Sequence, residues 1–355
     1  MTSNPMVNFF QNLRLPLQRK EEGVFEHLSN HFSKFKKEFK MLLENQGKDT
    51  TFDQQIYDEL SKKHDHILGF YQSILDCLEY HNNGKLLQAH QIFETKMTEM
   101  QNNIMSSKMR GTGILHHFYR IRIGKGDKRE DLFHISLKER EKVKAYRYSI
   151  AGFPCLYLAG SKGRDTGLVL AWLECGKPDK FYWSEFKLAD DAQDIEVLDL
   201  TESPFSSATQ SQNFYTWALN KEKFVPSLVV QNITTYPLLA ACSLVVANKD
   251  VSFIPEYIIP QMLLLWVHNN DKFKGIKYFS CSHAEEARKY NAFNIALPPK
   301  VFSDDSYCLQ LMSEFKTTNP YFVDISDIAS INDKAISIML SSSKVEEAEF
   351  KFINE

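Results

Sequence analysis

The spacing of apolar and polar positions changes once along the chain, near residue 114. Before that point the period is helical. Phe25, Leu28, Phe32, Phe35, Phe39 and Leu42 recur at alternating steps of three and four, with Lys, Glu and Ser on the opposite side. This is the stripe of an amphipathic helix. A second helix is predicted to open with Thr50 and Thr51 as caps and Asp53 in its first turn. Its stripe is Ile56, Leu60, Ile67, Phe70 or Tyr71, Ile74 and Leu78. Asn83-Gly84 follows and supplies the positive φ that closes a helix. A third stripe, Leu86, Leu87, Ile92, Phe93, Met97, Met100 and Ile104, runs out near residues 106–113. Three helices joined by short turns predict an antiparallel bundle over residues 1–110.

Beyond residue 114 short aromatic and β-branched runs alternate with apolar helical segments. ILHHFYRIRIG, PCLYLAG, KFYWSEFKL, DIEVLDLT, GIKYFS and NAFNIAL read as strands, and LFHISLKEREKVKAYRYS as a short strand followed by a loop or helical turn. GLVLAWLECG, PLLAACSLVVA and PEYIIPQMLLLWVHN read as helices, and the last twenty-odd residues as final strands or an appendage. Strands and helices mix without a βαβ period, so the fold class is α+β. The division that follows is a helical domain over 1–110 and a second domain over 111–355, with its core at 114–300.

Composition narrows the function. At 355 residues, 43% of them apolar, the chain is long enough for two or three packed units of roughly 150 residues. A net charge of −3 argues against nucleic acid as a partner, since phosphate neutralisation needs an excess of Lys and Arg. Six cysteines without a CxxC pair read as buried thiols of a reducing compartment. Cys281 and His283 are too few for a zinc site, and no metal is expected. The first residues lack the apolar core of a signal peptide, and no uncharged run approaches the roughly 18 residues of a membrane span, so the cytoplasm is expected.

Few familiar motifs occur. GKGDK at 124–128 lacks the spacing of a phosphate loop, whereas GSKGRDTG at 160–167, between a strand and a helix, is a candidate anion cap. Arg110 and His116 have the Arg-x5-His spacing of helical ribonucleases, but Gly111 and Gly113 between them are poor helix formers. Arg147, Tyr157 and Glu174 are more informative. Glu174 is the single carboxylate of the apolar run LVLAWLEC, which is costly unless it is paired or lines a cleft. Alternation places Tyr157 toward a cleft or core. Taken singly, each has a structural alternative: a surface ion pair for Arg147, core packing for Tyr157, a solvated helix face for Glu174.

As a set they resemble a known family. Arg147, then Gly152-x-Pro154-x-Leu156-Tyr157-Leu158, then Ala171-x-x-Glu174, is similar in order to the RES-domain family, named for its Arg, Glu and Ser. PEYIIPQMLLLWV followed by KGIKYFSCS resembles that family's Y-x-x-P-Q and G-I-x-Y-x-S segments, with Ser280 on the serine. FYRIR resembles the opening strand and NAFNIAL the strand after the serine; the likeness spans residues 114–300. AYRYSIAG departs from the Gly-Gly-Arg-Trp-like segment of many short members, although the Arg–Tyr spacing of ten is kept.

The resemblance implies a fold akin to ADP-ribosyltransferases, preceded here by the helical bundle. It implies NAD as substrate, cleaved at the nicotinamide–ribose bond by hydrolysis or phosphorolysis, and a role as a bacterial toxin of a toxin–antitoxin pair or an anti-phage effector. The implied active site is Arg147, Tyr157, Glu174 and Ser280. Arg147, Tyr157 and Ser280 also hold the dinucleotide, and Arg120 and Arg122 are reserve phosphate ligands. Two other readings stay open: mono-ADP-ribosyl transfer to a protein or nucleic acid, and a non-catalytic binding protein on the same scaffold. The helical extension has three open roles: control of activity, capture of an antidote or regulatory protein, and homo-oligomerisation.

Overall fold

The helical stripes of the sequence become helices in the computed structural model, which describes residues 5–45, 54–109, 117–161, 165–192, 194–201, 226–248, 251–303, 306–343 and 349–353. Helix α1 (Pro5–Asn12) precedes α2 (Val24–Glu44), whose Leu28, Phe35, Phe39 and Leu42 are buried. The second predicted helix is two, α3 (Gln54–Lys62) and α4 (His64–Asn82), broken at Lys63. The apolar stripe continues across that break without Gly or Pro, so its period carried no sign of it. The proposed caps Thr50, Thr51 and Asp53 lie outside the described residues. At the end of α4 the N–H of Gly84 (φ +73°) donates to His81 O and that of Lys85 to Tyr80 O, the closing turn that Asn83-Gly84 predicts. Helix α5 (Leu86–Met100) stops before Ile104.

These helices pack with a later segment. The chain separates into two compact units, one of Met1–Met105 with Leu200–Met262, the other of Ser106–Asp199 with Leu263–Glu355. The sequence division at 110 therefore differs from the structural one: 200–262 belongs with the helices. The reason is α7 (Pro226–Cys242), whose Val229, Ile233, Leu238 and Ala240 are fully buried and which packs on α3 and α4. Its Tyr236 ring stacks on Phe35 at 5.3 Å, and its hydroxyl donates to Leu13 O while accepting from His31 Nε2. The chain crosses between the units within α8 (Ile258–Asn269).

The second unit is built on one ten-stranded sheet. Its strands are β1 (Ser106–Lys108), β2 (His117–Arg122), β3 (Leu156–Ser161), β4 (Lys180–Leu188), β5 (Glu196–Leu200), β6 (Gly275–Tyr278), β7 (Ala292–Leu297), β8 (Phe315–Thr317), β9 (Tyr321–Asp324) and β10 (Lys351–Phe352). The order is β1-β5-β6-β7-β3-β2-β4-β8-β10, with β9 also on β4. Alternation sorts the core into two layers. Phe118, Leu156, Leu158, Phe293 and Ile295 face one way; Tyr119, Ala159, Trp183 and Ala292 face the other, against α6 (Thr166–Glu174). Helices α9 (Ala284–Tyr290) and α11 (Ile331–Ser343) pack on α6, and α10 (Leu309–Glu314) leads into β8. The architecture is α+β, as expected. Two local expectations fail in part. In the segment after β2 the expected helical turn is present, at Leu137–Lys142, but the expected short strand is not, and another 3₁₀ turn lies at Arg129–Leu132. KAISIML is helical, with Ala335 and Ile338, three apart, as its buried positions, whereas a final strand does follow as β10.

One histidine in each unit is held neutral. His134 is buried; its Nδ1–H donates to Ile135 O and its Nε2 accepts from the N–H of Cys308. Burial, reinforced by Arg120 and Arg122, lowers it to about 4. Burial also lowers His31 to about 4. Between pH 6.5 and 4 the unfolded chain therefore binds protons that the folded chain does not, and stability present above pH 6.5 is lost as pH falls. For His134 the loss is on the order of 3 kcal/mol. Urea midpoints are expected to fall from pH 7 to pH 4.5, and His134→Gln, which cannot charge, to flatten that slope; a slope unchanged in the variant would refute the assignment.

Candidate functional site

The site begins where two strands part. β2 pairs β3 only through His117↔Ser161, Phe118↔Gly160 and Tyr119↔Ala159. Beyond that point β2 continues on β4, from Arg120↔Ser184 to Arg122↔Tyr182, while β3 continues on β7, from Leu158↔Ile295 to Leu156↔Leu297. The sheet thus forks into two wings, leaving backbone groups of Tyr157 facing the gap rather than a strand. Arg120 fills the lip of this gap. Alternation sends it off the sheet on the Phe118 side, and its Nη1 donates to Tyr157 O at 2.8 Å.

Arg120 is 9% exposed, and its Nε is buried with no hydrogen-bond partner among the described residues. No carboxylate pairs with it there. Burial first, and then the like charge of Arg122, push it down to about 9. Arg122 donates from Nε to Asp131 O and from Nη2 to Phe133 O, so its fork is largely committed to the loop after β2. A buried guanidinium with a spare donor is a strong anion ligand, because an anion restores the charge partner that burial removed.

Glu174 is the last residue of α6. The helix stops because Gly176, at φ +81°, donates to Leu173 O and Lys177 to Trp172 O, which is why ECGK follows the apolar run. A carboxylate at a helix C-terminus faces the negative end of the macrodipole, and no base stands in that last turn. The macrodipole does not favour a carboxylate in this place. The side chain is exposed, and its Oε1 accepts from Asn294 Nδ2 at 3.0 Å.

Tyr157, Ala159 and Asn294 lie on the α6 side of the sheet, with Ala159 opposite Asn294 and Asn294 opposite Tyr278. The Tyr157 hydroxyl donates to Tyr148 O, so its proton is committed and the ring is what it offers. Burial, then Cys155 and Tyr278, raise this phenol well above its usual range. Tyr278 joins the set. Its ring lies 4.5 Å from that of Tyr148, and its phenol is raised by burial and by Glu174, while Arg147 acts in the opposite direction. Tyr278 therefore stands within electrostatic reach of Tyr157, Glu174 and Arg147, and stays a donor at neutral pH.

Arg147, half-buried, sits in the turn closed by Tyr146 and Ser149. Ser280 is buried, and its Oγ accepts from the N–H of His283, so it shapes the turn into α9. Among the described residues the structure brings Tyr157, Glu174 and Arg147 around Tyr278 on the α6 side, with Arg120 reaching the backbone O of Tyr157 from the Phe118 side, but gives Ser280 no direct bond to any of them. Arg110, His116 and residues 162–164 of the glycine loop lie outside the described residues.

Sequence reasoning missed Asn294 and Tyr278. Both stand in segments carrying the family likeness, and one polar residue in the strand AFNIAL was a readable signal. Cys155 and Cys175 flank the gap; burial raises both, so they are thiols rather than thiolates. Among the described residues no group of three His, Cys, Asp or Glu is placed to hold a metal, and no helix is long and apolar enough to cross a membrane.

Comparison with known proteins adds one relative. No family model matches the chain, and no solved structure matches it. The chain is 30% identical over 278 residues to the Bacillus subtilis (strain 168) protein named "Putative toxin YopC". That match covers 73% of this chain and 59% of the relative, so the chain spans less than two thirds of the relative's length. Over most of its residues, then, the chain is similar to a protein named as a toxin.

Proposed function

We propose that this chain is a toxin that cleaves NAD at the nicotinamide–ribose bond. The observation that carries the reading is the forked sheet, with an unpaired, buried Arg120 at its lip and a bonded Glu174 beside Tyr278. The chemistry suits those groups. Loss of nicotinamide leaves positive charge on the ribose, as in other oxocarbenium-like transition states. Glu174 stabilises that charge or holds a ribose hydroxyl. Arg120 takes the pyrophosphate, or an attacking phosphate, on the side of its guanidinium not bonded to Tyr157 O. The rings of Tyr157 and Tyr278 supply faces for a flat aromatic cation. Nicotinamide leaves without a strong general acid, so a site without a titrating histidine suffices. Similarity to a protein named as a toxin supports the biological half of the reading.

The test is to incubate the purified chain with NAD, with and without inorganic phosphate, and to follow nicotinamide. Release without phosphate is the outcome expected of hydrolysis, and release that requires phosphate that of phosphorolysis. Release only with an added protein, and label on that protein, would shift the reading to ADP-ribosyl transfer. No release and no NAD binding would overturn the reading and leave a binding scaffold.

A further inference from the structure

We propose that Asn294 is the positioning residue that fixes Glu174 for the reaction, an inference that rests on the NAD-cleaving reading for its kinetic part. An exposed glutamate at a helix end has many rotamers, and holding one costs up to about 2 kcal/mol of side-chain freedom. Glu174 is nonetheless held, by a single donor at 3.0 Å. That donor comes from a rigid place. Asn294 is 6% exposed in the middle of β7, an inner strand paired with β3 on one side and β6 on the other. The five other residues of the strand, Ala292, Phe293, Ile295, Ala296 and Leu297, are buried and apolar.

A buried amide in such a strand costs desolvation unless it is bonded, and the bond it makes is to Glu174. Ala159, directly opposite on β3, is small and leaves the amide room to reach the helix end. An amide neither charges nor titrates, so it aims Oε1 at every pH while Oε2 carries no protein hydrogen bond among the described residues. The other titratable groups coupled to this corner are Cys175 beside Glu174 and Tyr278 on β6, with Arg147 acting on Tyr278. On the helices packed against α6, Arg288 of α9 is paired with Glu285, and Lys334 of α11 with Asp179.

Two variants and two readouts test this. Asn294→Ala is expected to lower kcat by on the order of 10–100-fold with KM changed less than about threefold, because a misaimed group costs rate rather than binding. Asn294→Asp places a second carboxylate about 3 Å from the first, and such a pair shares a proton. The acid limb of its pH–rate profile is therefore expected to move up by about a unit or more, a change that simple loosening of the strand would not produce. The second readout needs no activity: in ¹³C-labelled protein, the Glu174 carboxyl resonance, assigned with Glu174→Gln, is expected to titrate at higher pH in Asn294→Asp than in the parent. If the parent releases no nicotinamide, the enzymatic reading falls and the resonance alone decides the Asn294–Glu174 coupling. A resonance that titrates alike in both proteins, or an active parent matched by both variants in kcat and pH profile, would overturn the inference.

Discussion

Replacing Glu174 by glutamine is expected to lower nicotinamide release by on the order of 10²–10³-fold, the scale of losing one preorganised electrostatic group. The substitution keeps the shape and an oxygen that still accepts from Asn294 Nδ2, so the loss reports charge rather than collapse. The position makes a second, opposite expectation. Glu174 opposes the macrodipole at the end of α6 without a basic neighbour in that turn. Removing its charge is therefore expected to leave the Tm unchanged or slightly higher, by a few tenths of a kcal/mol. Thermal melts and chromatographic assays on the same preparation check both halves. An inactive variant with a markedly lower Tm would instead mean that Glu174 is structural.

Replacing Arg120 is expected to act on binding. Arg120→Lys keeps a charge but loses the fork, and is expected to weaken NAD or ADP-ribose by about tenfold or more, read by calorimetry. Arg120→Ala is expected to go further, by on the order of 10²-fold, the scale of truncating one partner of a charged contact. It also leaves Tyr157 O without its donor, at a cost of about 1–3 kcal/mol in stability, so the lysine variant is the cleaner probe. Arg147 offers the contrast. It acts on Tyr278 from an irregular turn, while Arg120 stands on a strand and reaches the backbone O of Tyr157. If Arg147→Ala weakened binding and Arg120→Lys did not, the anion would sit at the turn and the fork in the sheet would be a packing feature.

How much of this is legible in the sequence depends on the kind of information. Strand and helix positions around the site were legible, because FYRIR, CLYLAG, GLVLAWLEC and NAFNIAL are apolar or aromatic runs of element length that are closed by a following Gly or Pro. The isolated carboxylate of α6 was legible for the same reason: burial of its neighbours made it anomalous. The weight of Arg120 was not. Its importance comes from a register that ends after three residue pairs, and no local pattern records where two strands part. The committed hydroxyl of Tyr157 and the turn-forming role of Ser280 depend on backbone partners that sequence spacing does not specify. The assignment of 200–262 failed for a further reason. A mainly apolar run such as PLLAAC says that it is buried, not in which core.

That assignment governs how the polypeptide can be divided. Both bodies are discontinuous, since the strand-rich stretch up to Asp199 is threaded between two pieces of the helical body. A fragment begun at residue 110 would retain α7 but strip it of α3 and α4, the helices it packs against. The helices are consequently not a removable preface to the sheet, and no single cleavage releases either body whole.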